Sequence, residues 1–397
     1  MKFLLLNGHG ICFKVDRAKL YIKNGFSEVG EEPEEYLFTP KRIPYQDIVI
    51  YGHSGNISLD AIHWLMKHGV GISILNWDGS LLTYIQPKKS VQVKTKFLQY
   101  ELYRNQPKRV QIARKILEGK FARTQQVLTW LKGRFEDIDD NLNIELKRFR
   151  KSKKLPELIQ TEARIAKIYW DGIKKVVPKE IEFISRQYVQ RPMGSVDTMN
   201  TLLNYGYALL EAQCLRSIHT TGLDPHVGYL HEIMNGKHPL VYDLQEPFRV
   251  LIDLAIINAL EQGVFKKTDF IRTENYNLRL KPSGAKKLIE YVSTTLNKKT
   301  EYKGKNCTWH NIIQLKAQEL SHYIQNKKTN IDFTQPEINL ENRSDNNELR
   351  EKILSIPYVT WKKQGYSKGT LHHLKQKVKK GVPFTVTKGV KVKMGRI

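Results

Sequence analysis

Residues 43–75, IPYQDIVIYGHSGNISLDAIHWLMKHGVGISIL, place two short Val- and Ile-rich runs, Asp47–Tyr51 and Gly71–Leu75, on either side of one helix. Ser58 reads as the helix N-cap, Ile62, Leu65 and Met66 supply its apolar face, and Gly69 ends it. Working outward, Phe3–Leu6, Ile11–Val15, Lys19–Ile22 and Leu81–Ile85 have the same strand texture, and Trp77-Asp78-Gly79-Ser80 reads as a hairpin turn. Residues 1–89 are therefore expected to form a mostly β domain. Beyond Pro87-Lys88-Lys89 the period changes to that of helices, as in Ala113, Ile116, Leu117 and Phe121, or Leu202, Leu203, Tyr207, Leu209 and Leu210. Strand-like alternation nearly disappears, so a larger all-α domain is expected over about 95–325, giving an α+β fold.

Residues 326–347, NKKTNIDFTQPEINLENRSDNN, are polar with little periodicity, and read as a linker. The tail 348–397 is a separate small module with 13 Lys and Arg against two Glu. Glu348–Leu354 reads as a short helix, Pro357 as the start of a second with Val359 and Trp361 as apolar anchors, and Gly365 as a turn. Ser367 then caps a third helix running to about Lys380, with Leu371, Leu374 and Val378 on one face. Helix, glycine turn and basic helix suggest a helix-turn-helix whose last helix enters a major groove. Lys368, Thr370, His373, Lys375 and Lys379 are its candidates for DNA contact. A solvated appendage, or a basic arm that grips phosphates without reading sequence, fits the same residues.

The chain of 397 residues carries 65 Lys and Arg against 40 Asp and Glu, a net charge of +25. That surplus attracts polyanions, nucleic acid first and an anionic membrane surface second. Lys108, Arg109, Arg114 and Lys115 belong to it, opposite the apolar stripe of their helix. No run approaches the 18 or so apolar residues of a membrane span. Three widely spaced cysteines without a CxxC pair exclude a disulfide scaffold and a cysteine-rich zinc site, and fit a reducing cytoplasm. The phosphate-binding GxxxxGK[ST] loop, the GxSxG elbow, the HExxH helix and the GxGxxG turn are all missing from the sequence.

Within this basic chain, GLDPHVGYLHE at 222–232 and YDLQEPFR at 242–249 concentrate carboxylates and histidines. Asp243 and Glu246 are three apart, so on a helix they share a face, and His231 lies on an upstream loop able to fold back. Carboxylates with one imidazole suit Mg²⁺ or, with the nitrogen ligand, Mn²⁺. The same residues also fit a helix cap with its dipole partner, and a hydrogen-bonded core histidine at His226 or His231.

The two segments resemble the signature of the CRISPR-associated adaptation integrase family. Arg191-Pro192 with Asp197, Asn200 and Tyr207 is similar to its preceding helix, and 43–75 is similar to its N-terminal region. The resemblance implies metal ligands at Glu162, in TEARIAKIYW, at His231 and at Glu246, with Asp243 as a supporting acid. Ala163 and Thr198 stand where the family usually has Gly and Pro. His226, at a place often held by an aromatic, is expected to be structural. The resemblance further implies a Mn²⁺- or Mg²⁺-dependent transesterification in which a 3′-hydroxyl DNA end attacks a target duplex, with a nuclease activity from the same centre. It also implies a homodimer built through the N-terminal β domain, or a higher assembly on DNA. With its extra tail the chain resembles the casposases, integrases of the mobile elements called casposons. Two alternatives stand beside this: an adaptation integrase that inserts spacers with a companion subunit, and a DNA-binding regulator whose acidic cluster is only structural.

Overall fold

The structure is a computed structural model that describes residues 3–26, 33–52, 54–76, 79–87, 92–133, 135, 137–178, 181, 183–186, 195, 197–274, 277–340, 351–363 and 368–379. Its N-terminal part is two four-stranded sheets. One contains β1 (Phe3–Asn7), β5 (Asp47–Tyr51), β7 (Gly71–Leu75) and β8 (Leu81–Ile85) in that order. Its first three strands run parallel, and β8 closes an antiparallel hairpin on β7. The other contains β4 (Glu35–Phe38), β3 (Lys19–Lys23), β2 (Ile11–Asp16) and β6 (Gly55–Ile57). The helix between β6 and β7, α1 (Leu59–Lys67), begins as the sequence indicates, with Ser58 Oγ accepting from the Ala61 amide at 3.2 Å.

Strand β5 explains how this part is joined to the rest. All five residues of DIVIY are buried, the mark of a strand covered on both faces. Ile48 and Ile50 point to a core with Leu6, Phe13, Leu20, Ile22, Leu65 and Ile72. Val49 and Tyr51 point the other way, into the core of the helical part. There the Tyr51 hydroxyl lies 2.7 Å from the Tyr205 hydroxyl and donates to the Leu280 carbonyl at 2.9 Å. The sheet thus stands between two hydrophobic cores, and one of its faces closes the core of the helical part.

The helical part comprises α2 (Val93–Arg104), α3 (Gln106–Lys132), α4 (Asn143–Lys151), α5 (Leu155–Lys174), α6 (Thr198–Thr220), α7 (Pro239–Gln245), α8 (Arg249–Glu261), α9 (Pro282–Asn297) and α10 (Trp309–Ile324). Helix α6 is buried nearly all round and lies between α8, α10 and the β8 edge of the sheet. Two short hairpins interrupt the helices, β9 (Phe270–Arg272) with β10 (Leu278–Leu280), and β11 (Lys299–Tyr302) with β12 (Lys305–Thr308). The expectation that strands nearly vanish after residue 95 is corrected to that extent. Runs of three or four residues are too short to show alternation.

Of residues 326–340, the described part of the stretch read as a linker, 326–330 are exposed and the course from Ile331 to Leu340 is packed. Ile331, Phe333 and Leu340 are buried in the main core, and a Cβ at Gly119 of α3 would sit 2.4 Å from the Phe333 carbonyl oxygen. Gln126 donates to the Ile338 carbonyl at 2.8 Å and accepts from its amide at 3.1 Å.

The tail holds a helical segment at 351–355, then α11 (Tyr358–Lys363) and α12 (Lys368–Lys379). Ile353, Ile356, Trp361, Leu371, Leu374 and Val378 make a core separate from the main one. Trp361 is an anchor as expected, but Val359 is 68% exposed. Residues two apart cannot share a helix face. Gly365, Ser367 and Lys380 lie outside the described residues, as do Arg191, Pro192, Trp77 and Asp78. Among the described residues no helix is long and apolar enough to cross a membrane.

Candidate active site

Three segments bring the predicted residues toward one place. On α5, Glu162 follows buried Leu158 by four residues and precedes buried Ile165 by three, so it borders the inward stripe. Glu246 opens a 3₁₀ turn, Glu246–Phe248, where Pro247 interrupts the run from α7 into α8. Helix α3 packs against both α5 and this turn. From α3, Lys120 pairs with both carboxylates, its Nζ contacting Glu162 Oε1 and lying 2.7 Å from Glu246 Oε2. Arg249 adds a second cation, with Nε 3.3 Å from Glu246 Oε1. Burial pushes the Glu246 carboxyl up, but Arg249, Lys120 and His231 outweigh it and hold the pKa down at about 2. Lys120 loses charge stability by burial and regains more from Glu246 and Glu162, so it stays protonated.

His231 is placed differently. It lies on the loop between α6 and α7, and Asp243 of α7 holds that loop from beneath. The fully buried Asp243 carboxylate accepts from the amides of Tyr229 (2.5 Å), Leu230 (3.0 Å) and His231 (3.0 Å), and pairs with His231 Nδ1 at 2.8 Å. Gly228 is required at this junction, since a Cβ there would meet Pro239 Cβ at 2.7 Å and Asp243 Oδ2 at 3.0 Å. From α2, Gln99 donates to the carbonyls of Asp224 and Val227, both at 2.9 Å, and from α3 Arg109 Nε donates to the Tyr229 carbonyl at 3.0 Å. Arg109, expected opposite the apolar stripe of its helix, is instead 4% exposed and holds this loop. Burial lowers the His231 pKa, but Asp243 first and Glu246 second raise it further, and the net shift is upward. His226, expected to be structural, is exposed and bonds to Asp224 through its amide and Nδ1, both at 2.9 Å.

The structure therefore joins Glu162 to Glu246 through Lys120, and His231 to Asp243. Asp243 grips the loop that carries His231, while Glu246 meets Lys120 of α3 and lies close enough to His231 for the two charges to act on each other. Among the described residues no three His, Cys, Asp or Glu side chains stand gathered as a metal cage. The donor chemistry nonetheless fits a divalent cation. Two carboxylates converge on a point now held by an ammonium, and an imidazole oriented through Nδ1 by a carboxylate is the usual arrangement of a metal-binding histidine.

Sequence reasoning missed Lys120, Arg249 and Asp253. Lys120 interrupts the buried stripe Ala113, Ile116, Leu117, Thr124, Val127 and Leu128, which was a usable signal. Asp253 is buried behind Glu246, where it accepts from the hydroxyls of Tyr169 (2.9 Å) and Tyr207 (2.5 Å). Burial raises its pKa to about 6 against those hydrogen bonds and the nearby Arg249 and Arg186. Of the tail candidates, His373 and Lys379 are exposed on α12. Lys375 donates to the Leu354 carbonyl at 2.8 Å and lies 5.1 Å over the Tyr358 ring, inside the module's own packing. The Lys368 and Thr370 side chains are outside the described residues.

The chain is a β-then-α protein with paired carboxylates and a carboxylate-held histidine, and comparison with known proteins gives its family. Residues 4–294 match the family described as CRISPR associated protein Cas1, and the chain belongs to it. It is 50% identical to a solved casposase bound to integration product, over 90% of this chain and 100% of that one, with a TM-score of 0.84. A Cas1 protein from Thermotoga maritima, 22% identical over 85% of this chain and 100% of its own, has the same fold with a TM-score of 0.68. The CRISPR-associated endonuclease Cas1 1 of Archaeoglobus fulgidus is 27% identical over 84% of this chain and 99% of its own length.

Proposed function

We propose that this chain is a divalent-metal-dependent DNA integrase and endonuclease of the casposase type, joining a 3′-hydroxyl DNA end to target DNA by transesterification. The observation that carries the reading is the convergence of Glu162 and Glu246 from different helices beside an Asp243-held imidazole, in a chain half identical to a casposase bound to integration product. A protein of net charge +25 that meets a polyanion has no electrostatic reason to bring carboxylates together unless a cation joins them.

Glu162 and Glu246 would hold Mn²⁺ or Mg²⁺, and His231 would offer Nε2, because Nδ1 is taken by Asp243. Such an ion, when bound, supplies Lewis acidity toward a phosphodiester. Arg249 keeps Glu246 ionised and adds positive charge where a phosphate would lie. Beside Glu232, the neighbour of His231, opens a groove of about 750 Å³ that includes Arg109, Arg114, Lys153 and Lys154. Its cationic rim suits a DNA backbone. The basic tail would add a second grip on donor or target duplex, and a homodimer or higher assembly would hold two DNA segments that repel each other. The second reading, spacer insertion with a companion subunit, draws on the relatives named as CRISPR-associated endonucleases.

The test mixes purified protein with a duplex bearing a free 3′-hydroxyl, supercoiled plasmid, and Mn²⁺ or Mg²⁺. The wild type should join duplex to plasmid by itself, and Glu246→Gln should not. Joining that survives Glu246→Gln refutes the assigned site, and joining that needs a second protein favours the companion-dependent reading. A truncation after Leu340, which spares the packed residues Ile331, Phe333 and Leu340, then measures what the tail adds.

A further inference from the structure

Lys120 sits on the inward stripe of α3 with its side chain 16% exposed. Removing an ammonium from water costs several kcal/mol unless partners compensate, so a lysine is kept here only if its charge has a use. Its two partners come from α5 and from the turn before α8, and without it Glu162 would face Glu246 with Arg249 alone, on the Glu246 side, to offset the two charges. Next to it lies a cavity of about 30 Å³ whose lining includes Lys120, Tyr169, Tyr207, Glu246, Arg249 and Asp253. That is room for a group of about the size of one water molecule.

We propose that Lys120 is the resident cation of this centre: it holds Glu162 and Glu246 together until a metal ion enters, and must yield its place on them for the ion to bind, so that it sets the metal affinity. The inference rests on the metal-dependent reading above. Lys120 is a positioning residue and not a ligand. The polar cavity beside Asp253 offers the displaced ammonium a second seat. A lysine that served only as a structural ion pair would, on removal, weaken the fold without strengthening metal binding.

The experiment titrates the full chain with Mn²⁺, reading free Mn²⁺ by electron paramagnetic resonance, and melts it in EDTA and in excess Mn²⁺, for wild type, Lys120→Gln and Lys120→Arg. Lys120→Gln should bind Mn²⁺ about tenfold more tightly or better, melt below wild type in EDTA, and recover most of that loss in Mn²⁺. Lys120→Arg, which keeps the charge, should bind Mn²⁺ no more tightly than wild type. If wild type binds Mn²⁺ and Lys120→Gln binds it equally or more weakly, the inference falls and the metal reading stands. If neither binds Mn²⁺ while both melt cooperatively, the metal reading falls and takes the inference with it. Should Lys120→Gln be unfolded in EDTA, folding on addition of Mn²⁺ supports the inference, and failure to fold at any Mn²⁺ concentration overturns it.

Discussion

Replacing Trp361 by Ala should unfold the tail module and leave the rest of the protein intact. Trp361 is fully buried, and the five other buried side chains around it are Ile353, Ile356, Leu371, Leu374 and Val378. Each of those contributes about 1.5–3 kcal/mol of burial, while removing a core Trp costs about 3–5 kcal/mol. Modules this small hold little reserve against such a loss. Because this core is separate from the main one, the damage should stop at the module boundary. Hydrogen exchange read by mass spectrometry is the assay: α12 amides should lose protection in Trp361→Ala, while α6 and α8 keep theirs. Val359→Ala is the control, since a side chain 68% exposed two residues away should change stability by less than about 0.5 kcal/mol. Retained α12 protection in Trp361→Ala, or equal damage from Val359→Ala, would refute the assignment of this core.

Gly228→Ala should lower stability by about 1–3 kcal/mol, because the new methyl meets Pro239 and Asp243 within 3.0 Å; exchange protection at the amides of Tyr229, Leu230 and His231 should fall with it. Asp47 is a buried carboxyl whose pKa burial raises from 3.8 to about 7, against the hydrogen bond from Ser73. Between those values the folded state binds the extra proton, so Asp47 makes the protein lose stability as pH rises through this window, by an amount on the order of 4 kcal/mol at most. Asp47→Asn should therefore gain on wild type between pH 5 and pH 8 in chemical-denaturation curves, and a constant difference across that range would rule out the buried titration.

Much of the N-terminal part was legible because its strands are apolar runs between turn residues: Asp47–Tyr51, Gly71–Leu75 and Leu81–Ile85 have the bounds read from the sequence. Strands β4 and β6 were not, since one is Glu-Tyr-Leu-Phe beside acidic residues and the other Gly-Asn-Ile, and both are ordered by the strands they pair with. At Gly55 that pairing brings the backbone so close that a Cβ would lie 2.1 Å from the Ile11 carbonyl oxygen. The packed course of 331–340 was hidden for a related reason. Ile331, Phe333 and Gln335 are buried in alternation, but only two of the three are apolar and the run is short, and the glycine that admits Phe333 lies on α3, more than 200 residues earlier.

The centre itself divides along the same line. His231 is held through backbone amides, and Asp243 keeps those three bonds whatever cation is present, so this half of the site is built by the fold. Glu162 and Glu246 have no such anchor to each other; they meet because a positive charge stands between them. A sequence motif could point to Asp243 and His231, which are close in the chain and fixed by local geometry. No motif marks Lys120, one basic residue among 65; its one signal was that it interrupts the buried stripe of α3, and its role exists only once α3 is laid against α5. The half of the site that depends on charge is thus the half in which a cation can be exchanged, and the half that depends on hydrogen bonds keeps the imidazole in place while that exchange occurs.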